Sequence, residues 1–442
     1  MHHLKALQPQ SIRSSQSWLR RLRRSGRPLG PWLSVPVVAS LSLASALLSD
    51  AAQAAPTYRG RLLTQGLANP RGLLLDGPRL LVSEAGSGPQ PGSSGSPCIT
   101  PRQGVVLCEG ATGAIGAWDR LTGSYSRLIM GLPSLAQSDG SEGTGIADLA
   151  WHDSRLVGVF GLGANPGMPA VSQLSPLFGQ VVQIDLTSQQ LTPRSNLAAY
   201  EKTNNPDGDI NDINSNPYAI ASFAGKLFAT DAGGNTLLTI DPSTSDPSGN
   251  FSITNSYFFP KVDVTLAPPF NLVPMPFKAS SVPTGLTVDL LNQKLKIGEF
   301  TGFPFEADAA SIYSQTATAT LPIQAITGFS MISDVAAGVD GSLYILEYAS
   351  NYFSPIGGGS VWLVDPAGVR SQIITGLTRP TGLAVDPSGV LYVANNADGT
   401  QGELLQFTPV PGPLPLLGAW AAWSHSRSLR RRLQPSRSSR KR

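Results

Sequence analysis

Short apolar segments separated by glycine, proline and polar residues recur along most of the 442-residue chain. The clearest copy reads Asn-Pro-Arg-Gly-Leu-Leu-Leu-Asp at 69–76, followed by Leu-Leu-Val-Ser-Glu at 80–84. Runs this short, bounded by turn residues, predict β-strands rather than helices. The pattern therefore indicates an all-β protein built from repeated strand–turn–strand units.

Six copies of this unit can be aligned by the residues at which they end, which are Glu84, Gly161, Asp231, Glu299, Glu347 and Asn395. The last two intervals are 48 residues each, which matches the length of a four-stranded propeller blade, about 40–50 residues. We predict a six-bladed β-propeller of four-stranded blades over residues 55–409. The segment 58–65 should pair with 404–408 and close the ring, which removes a free sheet edge.

Five of the six units end in a side-chain oxygen after an apolar strand: Glu84, Asp231, Glu299, Glu347 and Asn395. If these ends meet at the mouth of the central channel, the carboxylates repel one another unless a cation or hydrogen-bond donors compensate. We therefore expect a ligand site there. Oxygen ligands favour Ca²⁺ or another divalent metal, with Glu84, Asp231 and Asn395 as candidate ligands. The alternative is that each residue hydrogen-bonds loop backbone within its own unit.

A second metal candidate lies in the loop 204–214. Asp207, Asp209 and Asn211 have the D-x-D-x-N spacing of a calcium loop. The sixth position is Asp212 instead of glycine, and the twelfth is Tyr218 instead of glutamate. An ordinary loop of Asx turns is the favoured alternative.

The sequence lacks the catalytic motifs of several common enzyme classes. Residues 55–409 contain a single histidine, His152, which we expect on a surface turn. No G-x-S-x-G elbow, phosphate-binding G-x-x-x-x-G-K-[ST] loop or Cys/His metal spacing occurs. Any chemistry would have to depend on the channel carboxylates with a divalent metal that activates water.

Charge and cysteine usage bear on partners and compartment. Residues 55–409 hold 17 basic and 28 acidic groups, which argues against nucleic acid because phosphate contacts need lysine and arginine clusters. We expect a monomer that binds a small molecule or a protein at one propeller face.

Cys98 and Cys108 should form a disulfide in an oxidising compartment, with two free thiols as the alternative.

Both termini look like processing signals. Residues 1–54 resemble a secretory signal peptide, with an arginine cluster at 20–27, an apolar stretch at 32–48 and Ala-Gln-Ala at 52–54. An uncleaved membrane anchor is the alternative. Residues 410–442 resemble a PEP-CTERM sorting signal with a short apolar run. The alternative is a basic tail in contact with anionic lipid. We expect an exported protein that is periplasmic, extracellular or associated with the cell surface.

Residues 60–408 resemble the ScyD/ScyE family of exported proteins associated with biosynthesis of the pigment scytonemin. The resemblance is carried by segments at 66–72, 110–115, 131–136, 197–201, 205–208, 215–218, 231–235 and 298–305. The most specific are Asp-Ala-Gly-Gly-Asn at 231–235 and Gly-Glu-Phe-Thr-Gly-Phe-Pro-Phe at 298–305. Membership implies an exported propeller and assigns no reaction.

The units also resemble those of NHL-type propellers and of calcium-dependent lactonases of the gluconolactonase type, by analogy of fold. Three hypotheses follow. The favoured one is a non-catalytic binding or auxiliary protein. The second is a divalent-metal-dependent hydrolase or lactonase acting at the channel mouth. The third is an auxiliary factor that helps make or place an aromatic pigment outside the cytoplasm.

Overall fold

The computed structural model describes residues 55–410, apart from 94, 103, 265–276 and 353–357. Six antiparallel sheets with at least four strands each follow one another along this part of the chain. The predicted six-bladed β-propeller is therefore confirmed. The predicted signal at 1–54 and all but the first residue of the predicted tail at 410–442 lie outside the described residues.

The blades are assembled in chain order, from the innermost strand outwards. Blade 1 comprises β2 (Pro70–Asp76), β3 (Arg79–Glu84), β5 (Val105–Asp119) and β6 (Ser124–Ala136), with β4 (Cys98–Arg102) added beside β5. Blade 2 comprises β7 (Ile146–His152), β8 (Arg155–Phe160), β9 (Gln180–Asp185) and β10 (Gln190–Asn196). Blade 3 comprises β11 (Pro217–Phe223), β12 (Lys226–Asp231), β13 (Thr236–Ser245) and β14 (Phe251–Phe258).

Blades 4 to 6 follow the same plan. Blade 4 comprises β17 (Ser281–Asp289), β18 (Lys294–Thr301), β19 (Ala310–Thr316) and β20 (Ile323–Phe329). Blade 5 comprises β21 (Ile332–Ala337), β22 (Leu343–Glu347), β23 (Gly359–Val364) and β24 (Arg370–Leu377). Blade 6 comprises β25 (Gly382–Val385), β26 (Leu391–Asn395), β27 (Gly402–Val410) and β1 (Thr57–Leu67).

Smaller elements connect the blades. A 3₁₀ helix (Pro169–Gln173) lies between β8 and β9, the α-helix α1 (Leu197–Asn204) follows β10, and a small hairpin joins β15 (Val262–Val264) to β16 (Phe277–Ala279). The short helix α1 begins at Asn196, whose side chain accepts a hydrogen bond from Ala199 N, the usual N-cap arrangement. Within the described part of the chain, no helix has the length and apolar character needed to span a bilayer.

The propeller is closed by its two terminal strands, as the sequence predicts. β1 pairs antiparallel with β27, and Arg61 lies opposite Gln406. The first described strand thus becomes the outermost strand of the last blade. This pairing joins the two ends of the domain and leaves β27 with a partner on both sides.

The hydrophobic core is divided among the blade junctions. Six buried clusters each combine side chains from two neighbouring blades, for example Phe160 of blade 2 with Leu81 of blade 1, and Leu286 of blade 4 with Phe228 of blade 3. No blade buries its own faces without a neighbour, so the ring depends on all six contacts. This arrangement explains why the apolar runs repeat at blade spacing.

The innermost strand of each blade is the first strand of the repeat unit. β2, β7, β11, β17, β21 and β25 contact one another in sequence, and β25 contacts β2. One edge of each innermost strand has no strand partner and faces the channel. The polar backbone groups on these edges therefore need other partners.

Side chains supply those partners at every blade junction. In five junctions a buried hydroxyl donates to a backbone carbonyl oxygen of the next innermost strand or of the turn that leads into it. These bonds are Ser83 to Ala147, Thr230 to Thr284, Thr284 to Ile332, Ser333 to Pro380 and Thr381 to Pro70, at 2.5–2.8 Å. At the junction of blades 2 and 3, the carboxyl of Asp148 instead accepts from the backbone N–H of Ile220 at 2.9 Å.

The predicted disulfide between Cys98 and Cys108 is present. The two cysteines face each other directly across β4 and β5. The bond ties β4 to the long strand β5 of blade 1, next to the cavity described below.

We expect Thr381→Val to destabilise the ring. The substitution keeps the shape of the side chain but leaves the buried carbonyl of Pro70 without its donor, which costs about 1–3 kcal/mol of unfolding free energy. Denaturant unfolding measures the change. Thr192→Val, at an exposed position on the outer strand β10, is the matched control. Equal stability of the two variants would contradict the role given to the inter-blade bond.

Candidate functional site

A cavity of about 380 Å³ lies at one end of the ring of innermost strands. Its polar and aromatic lining includes Arg71, Glu142, Asp148, Asn214, Asn216, Tyr218, Asp334, Tyr348, Tyr352 and Asp398. These residues come from blades 1, 2, 3, 5 and 6 or from the loops that join them. The cavity is therefore a product of the closed ring and of no single blade.

Two carboxyl groups, Asp148 and Asp334, face the cavity from innermost strands. Asp148 lies on β7 and Asp334 on β21, three blades apart in a ring of six, so the two strands lie on opposite sides of the channel. The two residues make equivalent contacts. Asp148 accepts from Ile220 N of the next blade, and Asp334 accepts from Leu383 N of the next blade at 2.7 Å.

Both aspartates occupy the position that other repeats fill with glycine or alanine. The equivalent residues of blades 1, 3, 4 and 6 are Gly72, Ala219, Gly285 and Gly382. Neighbouring innermost strands approach closely here. A Cβ on Gly72 would lie 2.1 Å from Asp148 Oδ1, and a Cβ on Gly382 would lie 2.0 Å from the Arg71 carbonyl. Each aspartate thus depends on a glycine in the preceding blade for its space, Asp148 on Gly72 and Asp334 on Gly285.

Burial raises the pKa of both carboxyls. The pKa of Asp148 rises to about 7 because the cavity wall desolvates its charged form, and two backbone N–H donors only partly offset this. The pKa of Asp334 lies well above its usual range, through burial first and the charge of Asp148 second. Both groups therefore hold protons at higher pH than exposed aspartates.

The cavity mouth carries fixed charges of both signs. Arg71 donates to the carbonyl oxygen of Gly143 at 2.5 Å, which holds its guanidinium against the cavity wall. Arg102 pairs with Glu142, and Arg379 pairs with Asp398. Glu142 and Asp398 line the cavity, so these ion pairs lie at its rim.

An aromatic wall, formed by Phe300, Phe303, Phe305, Tyr348 and Tyr352, lies beside the mouth. The rings of Phe305 and Tyr352 stack with centroids 4.0 Å apart, and Phe300 meets Tyr348 edge to face at 5.7 Å. Tyr348 and Tyr352 also line the cavity. The segment 298–305, which carries part of the family resemblance, supplies three of these five rings.

The predicted ring of strand-end residues does not line the cavity. Glu84, Asp231, Glu299, Glu347 and Asn395 are at most 7% exposed and are absent from its lining. They end the second strand of each blade, while the first strand is innermost. Their contacts are those of the alternative interpretation, in which each residue forms hydrogen bonds within its own repeat unit.

These contacts are with neighbouring loops and strands. Glu84 accepts from Ala68 N, Tyr125 and Arg127, while Asp231 accepts from Ser215 and the backbone N–H groups of Asn216, Gly233 and Gly234. Glu299 accepts from Ser281, Glu347 accepts from Ser330 N, Ser360 and Trp362, and Asn395 accepts from Thr378 N. Each residue anchors the turn that leads into its own blade.

Two expectations need correction. Strand register places Phe160 opposite Ile146, as Glu84 lies opposite Pro70, so Phe160 and not Gly161 ends the second repeat. His152 is not on a surface turn. It ends β7, is 6% exposed, and its Nδ1 lies 2.9 Å from the Ser222 hydroxyl of the next blade.

The loop with D-x-D-x-N spacing forms successive Asx turns. Asp207 Oδ1 accepts from Asp209 N, and Asp209 Oδ1 accepts from Asn211 N. Asp209 is also paired with Lys261 at 2.9 Å. These hydrogen bonds are those of the favoured alternative, an ordinary loop of Asx turns.

The donor set of the channel does not fit a divalent cation. Ca²⁺ needs six to eight oxygen ligands, yet Asp148 and Asp334 already accept backbone N–H groups on both sides. Among the described residues, no group of three His, Cys, Asp or Glu side chains has the spacing of a metal site. We derive no reaction step that uses a channel metal.

Known proteins resemble this chain only at low sequence identity. No family model matches the chain, and no curated protein matches it. A gluconolactonase from Xanthomonas campestris is similar in structure, with 12% identity, a TM-score of 0.44, and coverage of 82% of this chain and 93% of that one.

An aldose sugar dehydrogenase from Streptomyces coelicolor, solved with PQQ bound, has 14% identity and a TM-score of 0.43, covering 80% of this chain and 99% of that one. A luciferin-regenerating enzyme has 9% identity and a TM-score of 0.43, covering 80% and 96%. Similarity of this extent carries no information about activity.

Sequence reasoning missed Asp148 and Asp334, although a signal was present. When the six repeats are aligned, copies two and five have aspartate where copies one, four and six have glycine. A charged residue at a position that the other copies fill with glycine or alanine is the feature that would have identified them.

We expect stability to fall between about pH 4 and pH 7 through Asp148. Its folded pKa of about 7 exceeds the unfolded value of about 3.9, so the folded protein keeps a proton that the unfolded chain releases. The contribution to the unfolding free energy is therefore full below about pH 4 and is lost as the pH rises to about 7. Urea unfolding across this range measures it.

Asp148→Asn should flatten this part of the pH profile, by up to about 1.4 kcal/mol per pH unit, because the amide cannot ionise but can still accept from Ile220 N. Asp308→Asn, at an exposed loop position, should keep the wild-type profile. If Asp148→Asn keeps it as well, the raised pKa is wrong.

Proposed function

We propose that this protein binds a small hydroxylated ring compound in the cavity at the end of its channel, and that it acts as a binding or auxiliary protein. One observation carries the proposal: two opposed carboxyls with raised pKa values share a cavity with an arginine and an aromatic wall. The cavity volume of about 380 Å³ falls within the range of small-molecule sites, about 300–1,000 Å³.

The carboxyls suit a ligand with several hydroxyl groups. A protonated carboxyl can donate one hydrogen bond and accept others, whereas a carboxylate can only accept. Because the pKa of Asp148 is raised to about 7 and that of Asp334 lies well above its usual range, both groups can pair with hydroxyls near neutral pH. The guanidinium of Arg71 adds donors on the wall of blade 1.

The aromatic wall suits the flat face of a ring. Tyr348 and Tyr352 face the cavity and are held by stacking and edge contacts with Phe300 and Phe305. Aromatic side chains of this kind give large contact area with defined geometry. A sugar ring and a phenolic ring share the relevant chemistry, since each offers hydroxyls at its edge and a face that can stack.

The resemblance to the ScyD/ScyE family points to the phenolic source. A precursor of an indolic or phenolic pigment would be a hydroxylated aromatic ring of suitable size. We propose this as the finer assignment, together with export of the protein.

A second candidate function is hydrolysis of a cyclic ester. A carboxyl whose pKa lies near 7, as for Asp148, is poised to act as a general acid or base near neutral pH. A lactone ring would fit the same cavity. This candidate needs turnover, which the binding proposal does not.

The test is calorimetric titration with four probes: glucose, gluconolactone, 4-hydroxybenzoate and 5-hydroxyindole. We expect at least one to bind with a Kd below about 1 mM. Arg71→Gln should weaken that binding at least about tenfold, or about 1.4 kcal/mol, because it removes a charged donor that lines the cavity. Arg59→Gln, on the exposed face of β1, is the matched control and should bind as the wild type does.

Binding of glucose or gluconolactone would indicate a carbohydrate ligand, and binding of 4-hydroxybenzoate or 5-hydroxyindole would indicate a phenolic one. Release of gluconate from gluconolactone that disappears in Asp148→Asn would favour the hydrolase candidate. If none of the four probes binds, or if Arg71→Gln binds like the wild type, the assignment of the cavity as the binding site is wrong.

A further inference from the structure

Three side-chain oxygens without hydrogen-bond partners lie buried near the end of helix α1. They are Glu201 Oε1, Asn205 Oδ1 and Asn214 Oδ1. Glu201 is only 2% exposed. Leaving a buried carboxylate oxygen without a donor is costly unless a proton or a cation compensates.

The oxygens of Glu201 and Asn214 lie against the same turn. A Cβ on Gly234 would stand 2.7 Å from Glu201 Oε2 and 3.4 Å from the carbonyl oxygen of Asn214. A Cβ on Gly233 would stand 2.8 Å from Asn214 Oδ1. The two glycines, which link β12 to β13, therefore leave room that any larger residue would fill.

Asn205 is placed beside Glu201 by the helix end. Its backbone N–H donates to the Glu201 carbonyl at 2.8 Å, and it adopts a left-handed conformation that terminates α1. Asp207 follows two residues later, and its Oδ2 accepts from the side chain of Asn235, next to Gly234. The loop thus folds back over the turn at 233–234.

The surroundings of Glu201 are acidic. Burial is the main cause that raises the pKa of Glu201, to about 8, and the charges of Asp231, Asp207 and Asp212 raise it further. Lys261 also faces this loop, but it is paired with Asp209. Asp231 is satisfied by four donors, which leaves Glu201 as the buried acid that lacks a counter-charge.

We propose that this cluster is a Ca²⁺ site, in which Glu201, Asn205 and Asn214 supply side-chain oxygens and the adjoining loop supplies carbonyl and carboxylate oxygens. An all-oxygen donor set with irregular placement suits Ca²⁺ better than Zn²⁺ or Mg²⁺. No three acidic side chains come within metal-site spacing in the described part of the chain. We therefore infer weak binding, with a Kd of about 10⁻⁴–10⁻³ M as in extracellular modules.

The site would be separate from the channel carboxyls but adjacent to the cavity. Asn214 and Gly233 also line the cavity wall, so a bound ion would fix that part of the wall. It would differ from the D-x-D-x-N candidate, whose residues Asp209 and Asn211 take no part.

The experiment is calcium titration of the purified full chain by calorimetry, with the midpoint of thermal unfolding as a second readout. We expect one Ca²⁺ per chain and a rise of the midpoint with Ca²⁺ that an equal concentration of Mg²⁺ does not match. Glu201→Gln should weaken binding at least about tenfold. It should be no less stable than the wild type without Ca²⁺, because glutamine keeps the shape of the side chain and cannot ionise.

Glu299→Gln is the matched control. Glu299 is also buried, its pKa is raised to about 7, and its Oε2 has no partner, but its hydrogen-bond partners are serines rather than acids and amides. It should keep calcium binding. If Glu201→Gln fails to fold, Asn214→Ala takes its place with the same expected loss.

Two results would overturn the proposal. One is absence of calcium binding by the wild type at concentrations about ten times the upper end of that Kd range. The other is unchanged binding in Glu201→Gln or Asn214→Ala. In either case the cluster is not a calcium site, and a proton on Glu201 neutralises its carboxyl instead.

Discussion

The structure depends on how the unpaired edges of the six innermost strands are satisfied. Each edge faces the channel without a strand partner, and its backbone groups would be costly to bury unpaired. A side chain bridges every junction, from Ser83 between blades 1 and 2 to Thr381 between blades 6 and 1. These bonds hold neighbouring strands so close that glycine is needed at Gly72, Gly285 and Gly382.

The candidate site is a consequence of the same close approach. Asp148 and Asp334 stand where other blades have glycine or alanine, and each reaches the backbone of the next blade. Both are therefore ring contacts and cavity groups at once. Their burial between strands, rather than a neighbouring cation, sets their protonation. A change that loosened the ring would alter the chemistry of the cavity with it.

Much of the fold could be predicted because it repeats. The blade spacing, the pairing of β1 with β27 and the disulfide of Cys98 with Cys108 follow from local patterns that the structure confirms. The site could not be predicted in the same way. The repeat shows which residues are equivalent but not which strand is innermost, so it does not distinguish Asp148 and Asp334 on the innermost strands from Glu84 and Asp231 on the second strands. Glu201 was missed because its role depends on Asn214 and the turn at 233–234, which are distant in sequence.

The central claim is that closure of the ring keeps carboxyls protonated inside the cavity near neutral pH. Infrared titration tests it most directly, because a protonated carboxyl and a carboxylate absorb at different frequencies. Our account predicts a protonated-carboxyl band that persists at pH 6 and decreases in the double variant Asp148→Asn, Asp334→Asn. Glu201 and Glu299, whose pKa values are also raised, should supply the part that remains. An identical band in the wild type and the double variant at pH 6 would contradict the account.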